Sequence, residues 1–406
     1  MSETEKTENS QKIVLEEDEE LQVHVQEHEL KVELLKGHAE IFGYELQAEK
    51  PCIFSKGANF SIFTFHGCSL KIEGQSYEAT KSDQNPLIMY LQMHAALEKM
   101  RLKADKNDNE RGPVTMIVGP TDSGKSTLCQ LLLNYALRMG RKPVYVDLDV
   151  GQSSISIPGT LGAALIESQI SPQYGYDQCA PLIFHFGQNA PAKNLALFNN
   201  LVAKLGEVLR DQLKSNRKAE ASGMIINTCG WIKQQGYDHI KHIAQAFEVD
   251  LIIVLDESKL YNDLLRDIPS FVQVQWLPRS LGVQTRNRAI RMESRFQKIH
   301  QYFYGIQNNL QPLTLELKFS SVKIFRINSN LQVSTMIPRE SLTDHLLAVS
   351  FAQDPQDLVQ SSVAGFVCVT KVDMDTQKLT VLSPQTLPDC IFVFSDVKMS
   401  RGVEKI

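Results

Sequence analysis

Nine consecutive residues constrain this chain more than any other stretch: Gly119-Pro120-Thr121-Asp122-Ser123-Gly124-Lys125-Ser126-Thr127, a complete G-x-x-x-x-G-K-[ST] loop. Before it stands Val114-Thr115-Met116-Ile117-Val118, an apolar run of strand character. After it, Leu128 to Met139 reads as an apolar, helix-forming segment that stops at Gly140. Strand, glycine loop and helix in that order aim backbone N–H groups and the positive helix end at one phosphate cluster. Gly119 and Gly124 allow backbone angles that a side chain resists. Lys125 is suited to reach the β/γ-phosphates, and the Ser126 hydroxyl to ligate Mg²⁺. The bare pattern arises by chance; framed by a strand and a helix, it implies nucleoside triphosphate binding.

The rest of the chain fits an α/β protein with flanking β domains. At 406 residues it has length for two or three domains, and 43% hydrophobic with 22% charged residues is a globular composition. A net charge of −5 leaves no global attraction for nucleic acid, so any RNA or DNA site must be a local basic patch. The seven cysteines are scattered and form no C-x-x-C pair, which reads as reduced intracellular thiols and neither a disulfide frame nor a zinc site. The polar Met1–Lys12 stretch is unlike a secretory signal, and no apolar run has the length of a membrane span.

Texture divides the chain into segments. Residues 1–12 read as a disordered tail. From 13 to 103 short strands predominate, with Leu21, Val23 and Val25 alternating and Phe60–Phe65 rich in β-formers; they read as a small β-sandwich, followed by a helix over Pro86–Lys103. The polar stretch 104–112 reads as a linker. Between 113 and 305, strand-like runs at Val114–Val118, Val144–Leu148, Leu182–Phe186, Met224–Asn227, Leu251–Leu255 and Val272–Leu277 alternate with helical segments. Several are apolar throughout, as strands covered by helices on both faces should be, so a parallel sheet is expected with the phosphate loop on its first strand. Residues 306–406 are β-like again, with a polar loop at Ala352–Ser362.

Three constellations carry further chemistry. In Tyr145-Val146-Asp147-Leu148-Asp149, alternation puts both carboxylates on one side of an extended strand near its carboxyl end. One can orient hydrated Mg²⁺ while the other accepts a proton from an incoming hydroxyl. Arg279, Arg286, Arg288, Arg291, Arg295 and Lys298 follow Pro278, with Gly282 among them. A solvated surface helix also carries such a run, but beside a phosphate loop it describes a lid, about 279–295, that closes over phosphates. Trp231 follows the polar turn Asn227-Thr228-Cys229-Gly230, where an aromatic ring can stack on a base; Trp276 ends an apolar strand and reads as core. A GTPase reading is weaker, because Asp256-Glu257-Ser258-Lys259 stands where an Asn-Lys-x-Asp base reader would follow its strand.

Taken jointly, Gly119–Thr127, Asp147–Gln152, Ser156-Ile157-Pro158-Gly159-Thr160, Asn227–Trp231 and the Arg286…Arg291 lid resemble the eukaryotic polyribonucleotide 5′-hydroxyl kinase and pre-mRNA cleavage factor subunit family. The likeness extends to Gly37–Gly43 and Ser362–Phe366, and so over nearly the whole chain. It implies a β N-terminal domain, a central P-loop kinase-like domain and a small β-rich C-terminal domain. It also implies ATP and Mg²⁺ as cofactors, with Glu20 at the adenine, Asn59 where the family has a second, lysine contact, and Gly119, Asp122, Ser123, Gly124, Lys125, Ser126 and Thr127 around the phosphates. Ser126 and Asp147 would serve the metal, Asp149 would activate the RNA 5′-hydroxyl, and Arg286 and Arg291 would come from the lid. Gln152, Asn189 and Trp231 would face RNA, with Trp231 on the terminal base.

The partners implied are RNA 5′ ends, a pre-mRNA cleavage factor scaffold protein and the tRNA-splicing endonuclease complex, with no membrane. The implied roles are tRNA splicing and mRNA 3′-end processing in the nucleus, with DNA ends as a further candidate substrate. Three departures stand out: Gly187-Gln188-Asn189-Ala190-Pro191 replaces a small hydroxyl-rich loop, Leu281-Gly282 replaces two glycines, and Ser153 follows Gln152 in place of glycine. The competing expectation is a non-catalytic, ATP-bound scaffold of an mRNA 3′-end cleavage complex. A scaffold needs the phosphate loop but not Asp149, Trp231, Arg286 or Arg291.

Overall fold

All five side chains of the Val114–Val118 strand are buried, which puts that strand at the middle of the molecule. The computed structural model describes residues 10–82, 86–176, 180–388 and 390–400. The central sheet has seven strands, in the order Leu182–His185, Thr160–Leu165, Val144–Asp147, Met224–Asn227, Val114–Val118, Leu251–Leu255, Gln273–Leu277. The last five are mutually parallel. Thr160–Leu165 runs antiparallel to both its neighbours, so the sheet is mixed at one edge. Its run of small residues, TLGAAL, gave no strand signal in the sequence.

Alternation along Val114–Val118 sorts the two covering layers. Met116 and Val118 pack with Leu201, Ile240 and Leu264 from the helices Leu195–Leu213, Gln235–Ala246 and Ser258–Asp267. Ile117 faces the opposite way, toward Leu97, Leu128 and Leu132 of the helices Leu87–Lys106 and Lys125–Arg138. The Leu87–Lys106 helix therefore belongs by packing to the central layer. Arg101, 1% exposed, donates its Nε to Ser222 O there and pairs with Glu98.

The stretch read as a linker is also fastened down. Ala104 is fully buried within the helix, and Arg111 pairs with Asp250 at 2.6 Å. Polar composition reported its exposed surface but not these ion pairs.

The N-terminal domain is a sandwich of a four-stranded and a five-stranded sheet. It begins at the Ser10–Leu15 strand, paired with Cys68–Glu73; residues 1–9 of the expected tail lie outside the described residues. The six described cysteines are free thiols, and Cys179 lies outside the described residues. A seven-stranded sheet forms the C-terminal domain. Ala352–Ser362 is not wholly polar surface: a short 3-10 turn, Pro355–Val359, buries Leu358. Among the described residues, no helix is long and apolar enough to cross a membrane.

Candidate active site

The phosphate loop leaves the Val114–Val118 strand and enters the Lys125–Arg138 helix, whose N-terminus lies three residues earlier than the apolar pattern marks. Gly119 has φ +155° and Gly124 φ +90°; a Cβ on Gly119 would lie 2.7 Å from Leu255 O. Asp122 is also left-handed at φ +57°, a conformation that aspartate tolerates better than most residues. Lys125 is 7% exposed and donates to Gly119 O at 2.9 Å and Pro120 O at 2.7 Å. Burial pushes its pKa down, and the nearby Asp149 carboxylate opposes that shift.

Asp147 ends its strand in register with Asn227 of the neighbouring strand. The Asn227 amide donates both to Asp147 Oδ1, at 3.1 Å, and to Ser126 Oγ, at 3.3 Å. One amide thus gathers a carboxylate and a hydroxyl at the foot of the phosphate loop. Asn227 Oδ1 is buried without a partner. An all-oxygen donor set of this kind suits Mg²⁺, which takes few protein ligands and several from water and substrate phosphates. Among the described residues, no group of three or more His, Cys, Asp or Glu is placed to hold a metal by itself. The residues fit a phosphate-borne magnesium. Burial pushes the Asp147 carboxyl up to about 6, against the hydrogen bond from Ser154 N.

Asp149 is half-buried and lines the cavity beyond Asp147. Its Oδ1 accepts from Gly151 N at 3.0 Å and Gln152 N at 3.1 Å, which fixes the carboxylate on its own turn. Burial raises its pKa, while Lys125 and those backbone donors pull it back. Across the cavity, Gly230 and Trp231 follow the Met224–Asn227 strand. A Cβ on Gly230 would lie 2.3 Å from Thr121 Oγ1, so this turn packs directly on the phosphate loop. Trp231 is half-buried, its ring 6.5 Å from and 28° off that of His239. It is not packed away beneath the turn. Trp276 is only half-buried too, with its Nε1 enclosed and unpartnered.

The lid begins at Pro278, whose carbonyl accepts from Tyr90 Oη at 2.7 Å. Its loop passes Gly282 against Ser61 and Gln22 of the N-terminal domain and enters the Arg288–Tyr304 helix, capped by Asn287. Arg286 therefore precedes the helix. Both expected lid arginines converge on Asp122: Arg286 Nε lies 3.1 Å from Oδ1, and Arg291 Nη2 lies 2.6 Å from Oδ2. Burial pushes the Asp122 carboxyl up, but donors from Arg286 and Arg291 outweigh it and hold its pKa below the ordinary value. The Arg291 Nε is buried with no partner.

These side chains surround one cavity of about 730 Å³, lined by Asn59, residues 121–127, Asp149, Gln152, Asn189, Trp231, Arg286 and Arg291. Gly119, Asp147 and Glu20 stand outside its lining. Glu20 begins the Glu20–Val25 strand behind Ser61, 2% exposed, with Oε2 unpartnered. Asn59 is engaged by His24 Nδ1 at 2.7 Å. Of the departures, Gln188 turns away and donates to Asp396 of the C-terminal domain, whereas Asn189 and Ala190 face the cavity.

Sequence reasoning gave no role to Asn227 or Phe42. Asn227 was legible as the only polar residue of an otherwise apolar strand, while Phe42 reaches the cavity only through domain packing. A larger cavity of about 830 Å³ lies between His38–Gln47 and Arg138, but it holds no residue of the phosphate loop. Chemistry, and not size, picks the site.

Known protein families match three stretches of the chain. Residues 119–305 match the family described as mRNA cleavage and polyadenylation factor CLP1 P-loop. Residues 14–104 match the N-terminal beta-sandwich domain of polyadenylation factor, and residues 310–400 match pre-mRNA cleavage complex II protein Clp1. The chain is 46% identical to Protein CLP1 homolog of Anopheles gambiae, over 95% of this chain and 96% of that protein. It is 44% identical to the polyribonucleotide 5′-hydroxyl-kinase Clp1 of Bos taurus, with the same coverages. The fold is similar to that of a solved Clp1p–Pcf11p complex, with TM-score 0.87 and 22% identity over 96% of this chain and 98% of that one.

Proposed function

The chain belongs to the Clp1 family, and from that footing we propose that it is an ATP-dependent kinase of the 5′-hydroxyl end of RNA. One observation carries the reading: Lys125, Asp149, Trp231, Arg286 and Arg291 all line the cavity that holds the phosphate loop. A nucleotide-stabilised scaffold requires only the loop.

Residues 121–127 would hold the triphosphate of ATP, and Ser61, in front of the buried Glu20, would face its base. Ser126 and Asp147 would hold Mg²⁺, which would neutralise charge on the β- and γ-phosphates. Trp231 stacks on the terminal base and brings the 5′-oxygen to Asp149. That carboxylate, held by Gly151 N and Gln152 N, orients the hydroxyl and accepts its proton as the oxygen attacks the γ-phosphorus, while the bond from that phosphorus to the β–γ bridging oxygen breaks and ADP leaves. Its raised pKa favours the transfer. Lys125 and the arginines of the lid meet the charge that spreads onto the equatorial oxygens. Removing an arginine from this position costs up to roughly 10³–10⁵ in rate.

The family descriptions, which name mRNA cleavage, support work on pre-mRNA with a cleavage-factor scaffold, and the nucleus is proposed with it as the place of that work. Ends produced by the tRNA-splicing endonuclease are substrates of the same chemical kind. The test is transfer of labelled γ-phosphate to a short 5′-hydroxyl RNA. Wild type should transfer it, and Lys125→Ala and Asp149→Asn should reduce transfer to background. Equal transfer by all three would leave only the scaffold role.

A further inference from the structure

The kinase cavity continues on its Asn189 side. Asn189 and Arg295 also line a second cavity of about 800 Å³, between the Arg288–Tyr304 helix and the C-terminal sheet. Gln188 and Lys193 carry that space into a third, of about 550 Å³, walled by Arg326 and residues 327–330. Neighbouring cavities share residues, so the three form one groove.

Its composition differs from that of the chain. Lys193, Arg288, Arg326 and Lys398 line the groove beyond the kinase cavity and Arg295 lines both, against Glu293 and Asp396, in a protein of net charge −5. Met292, Phe296 and Ile299 add apolar surface between the charges. Basic side chains that track a backbone, with apolar and aromatic surface for bases, are what a single strand needs. The walls come from two domains and are fixed to each other. Asp396 N donates to Gly187 O at 2.9 Å, Gln188 donates to the Asp396 carboxylate, and His185 Nε2 lies 3.0 Å from Phe394 O. Lys193, on the central domain, and Lys398, on the C-terminal strand, are both exposed.

We propose that this groove binds the RNA chain 3′ of the nucleotide being phosphorylated, so that the C-terminal domain completes a second polynucleotide site. The proposal rests on the kinase reading for its polarity: the terminal nucleotide sits at Trp231 and the strand leaves past Asn189 and Arg295. The substrate class is then a 5′-hydroxyl end with a single-stranded run of several nucleotides. A dinucleotide engages the cavity alone.

The test compares 5′-hydroxyl ApA with a 5′-hydroxyl oligoadenylate 10-mer on the full chain, reading both kinase kinetics and binding of a fluorescein-labelled 10-mer. The variants are Lys193→Glu/Lys398→Glu and, as a control of equal charge change elsewhere, Lys36→Glu/Lys318→Glu. Wild type should show a lower KM for the 10-mer than for ApA. The groove variant should raise the 10-mer KM and Kd roughly tenfold and lower the log–log salt slope by about 1.4, the loss of two phosphate contacts on a single strand. Its ApA kinetics should be unchanged, and the control should match wild type. Unchanged 10-mer affinity and length preference in the groove variant would overturn the proposal and leave the groove to an acidic protein segment. Binding of the 10-mer that the groove variant weakens, without transfer to either RNA by wild type, would uphold the groove and refute the kinase reading.

Discussion

The Arg291 guanidinium donates to the Asp122 carboxylate at 2.6 Å, which ties the basic lid helix to the phosphate loop. Arg286 reaches the same carboxylate through its backbone N–H at 2.8 Å and its Nε at 3.1 Å. Asp122 therefore occupies two guanidinium groups that the proposed reaction needs for phosphate, and its side chain is only 4% exposed.

Neutralising Asp122 should destabilise the nucleotide-free protein and matter less once ATP is bound. Asn at this position keeps the left-handed backbone, so the effect isolates the charge. With two arginines left unpaired, the loss should be about 1–3 kcal/mol. Thermal unfolding of Asp122→Asn, with and without Mg-ATP, checks this. A deficit of the same size in both conditions would show that phosphate does not take over the arginines.

Gly230→Ala should weaken ATP binding while leaving the fold intact. The added methyl would meet Thr121 Oγ1 at 2.3 Å and Thr121 N at 2.5 Å, so it presses on the phosphate loop. Overpacking of this kind costs about 1–3 kcal/mol. Isothermal titration with ATP should show a correspondingly weaker Kd at an unchanged circular dichroism spectrum. Full ATP affinity would mean that the Trp231 turn moved instead.

Trp231→Ala should weaken binding of 5′-hydroxyl RNA by about 1–3 kcal/mol, as one stacked base does. ATP binding should be unaffected. RNA titrations by anisotropy decide; an unchanged Kd would assign the ring to packing over His239 alone.

The stability that buried His185 and His239 contribute should be lost as pH drops from 6.5 toward 4, against the opposite trend of Asp147. Burial pushes the His185 and His239 rings down to about 4, from 6.5 in the unfolded chain. Across that window the unfolded state binds more protons, so stability rises with pH and is fully present above 6.5. At 1.36 kcal/mol for each pH unit, each ring accounts for about 3 kcal/mol at the limit. Urea melts between pH 5 and 7.5 should give a shallower slope for His239→Gln than for wild type. Parallel slopes would remove His239 from the linkage.

Much of the site was legible because its chemistry is written in short stretches. Gly119–Thr127 and Asp147–Gln152 each act through neighbours in sequence, whose spacing sets which groups share a turn or a face. Glu20 and Asn59 stand differently. Their relation to the loop depends on how the Glu20–Val25 and Asn59–Phe63 strands pack against Gly282, and local sequence carries no trace of that distance. The antiparallel Thr160–Leu165 strand also escaped pattern reading, since small residues report neither period nor direction.

By itself, then, the amino-acid order determined a phosphate loop between strand and helix, a pair of carboxylates at a strand end and a run of arginines. Backbone angles, alternation and charge are local properties, and local sequence specifies them. Only the tertiary structure decided that Asn227 joins Ser126 to Asp147, that Asp122 holds both lid arginines, and that a basic groove continues into the C-terminal domain. Those contacts join residues 80 to 208 positions apart, and only the burial of the packed cores fixes where such residues meet.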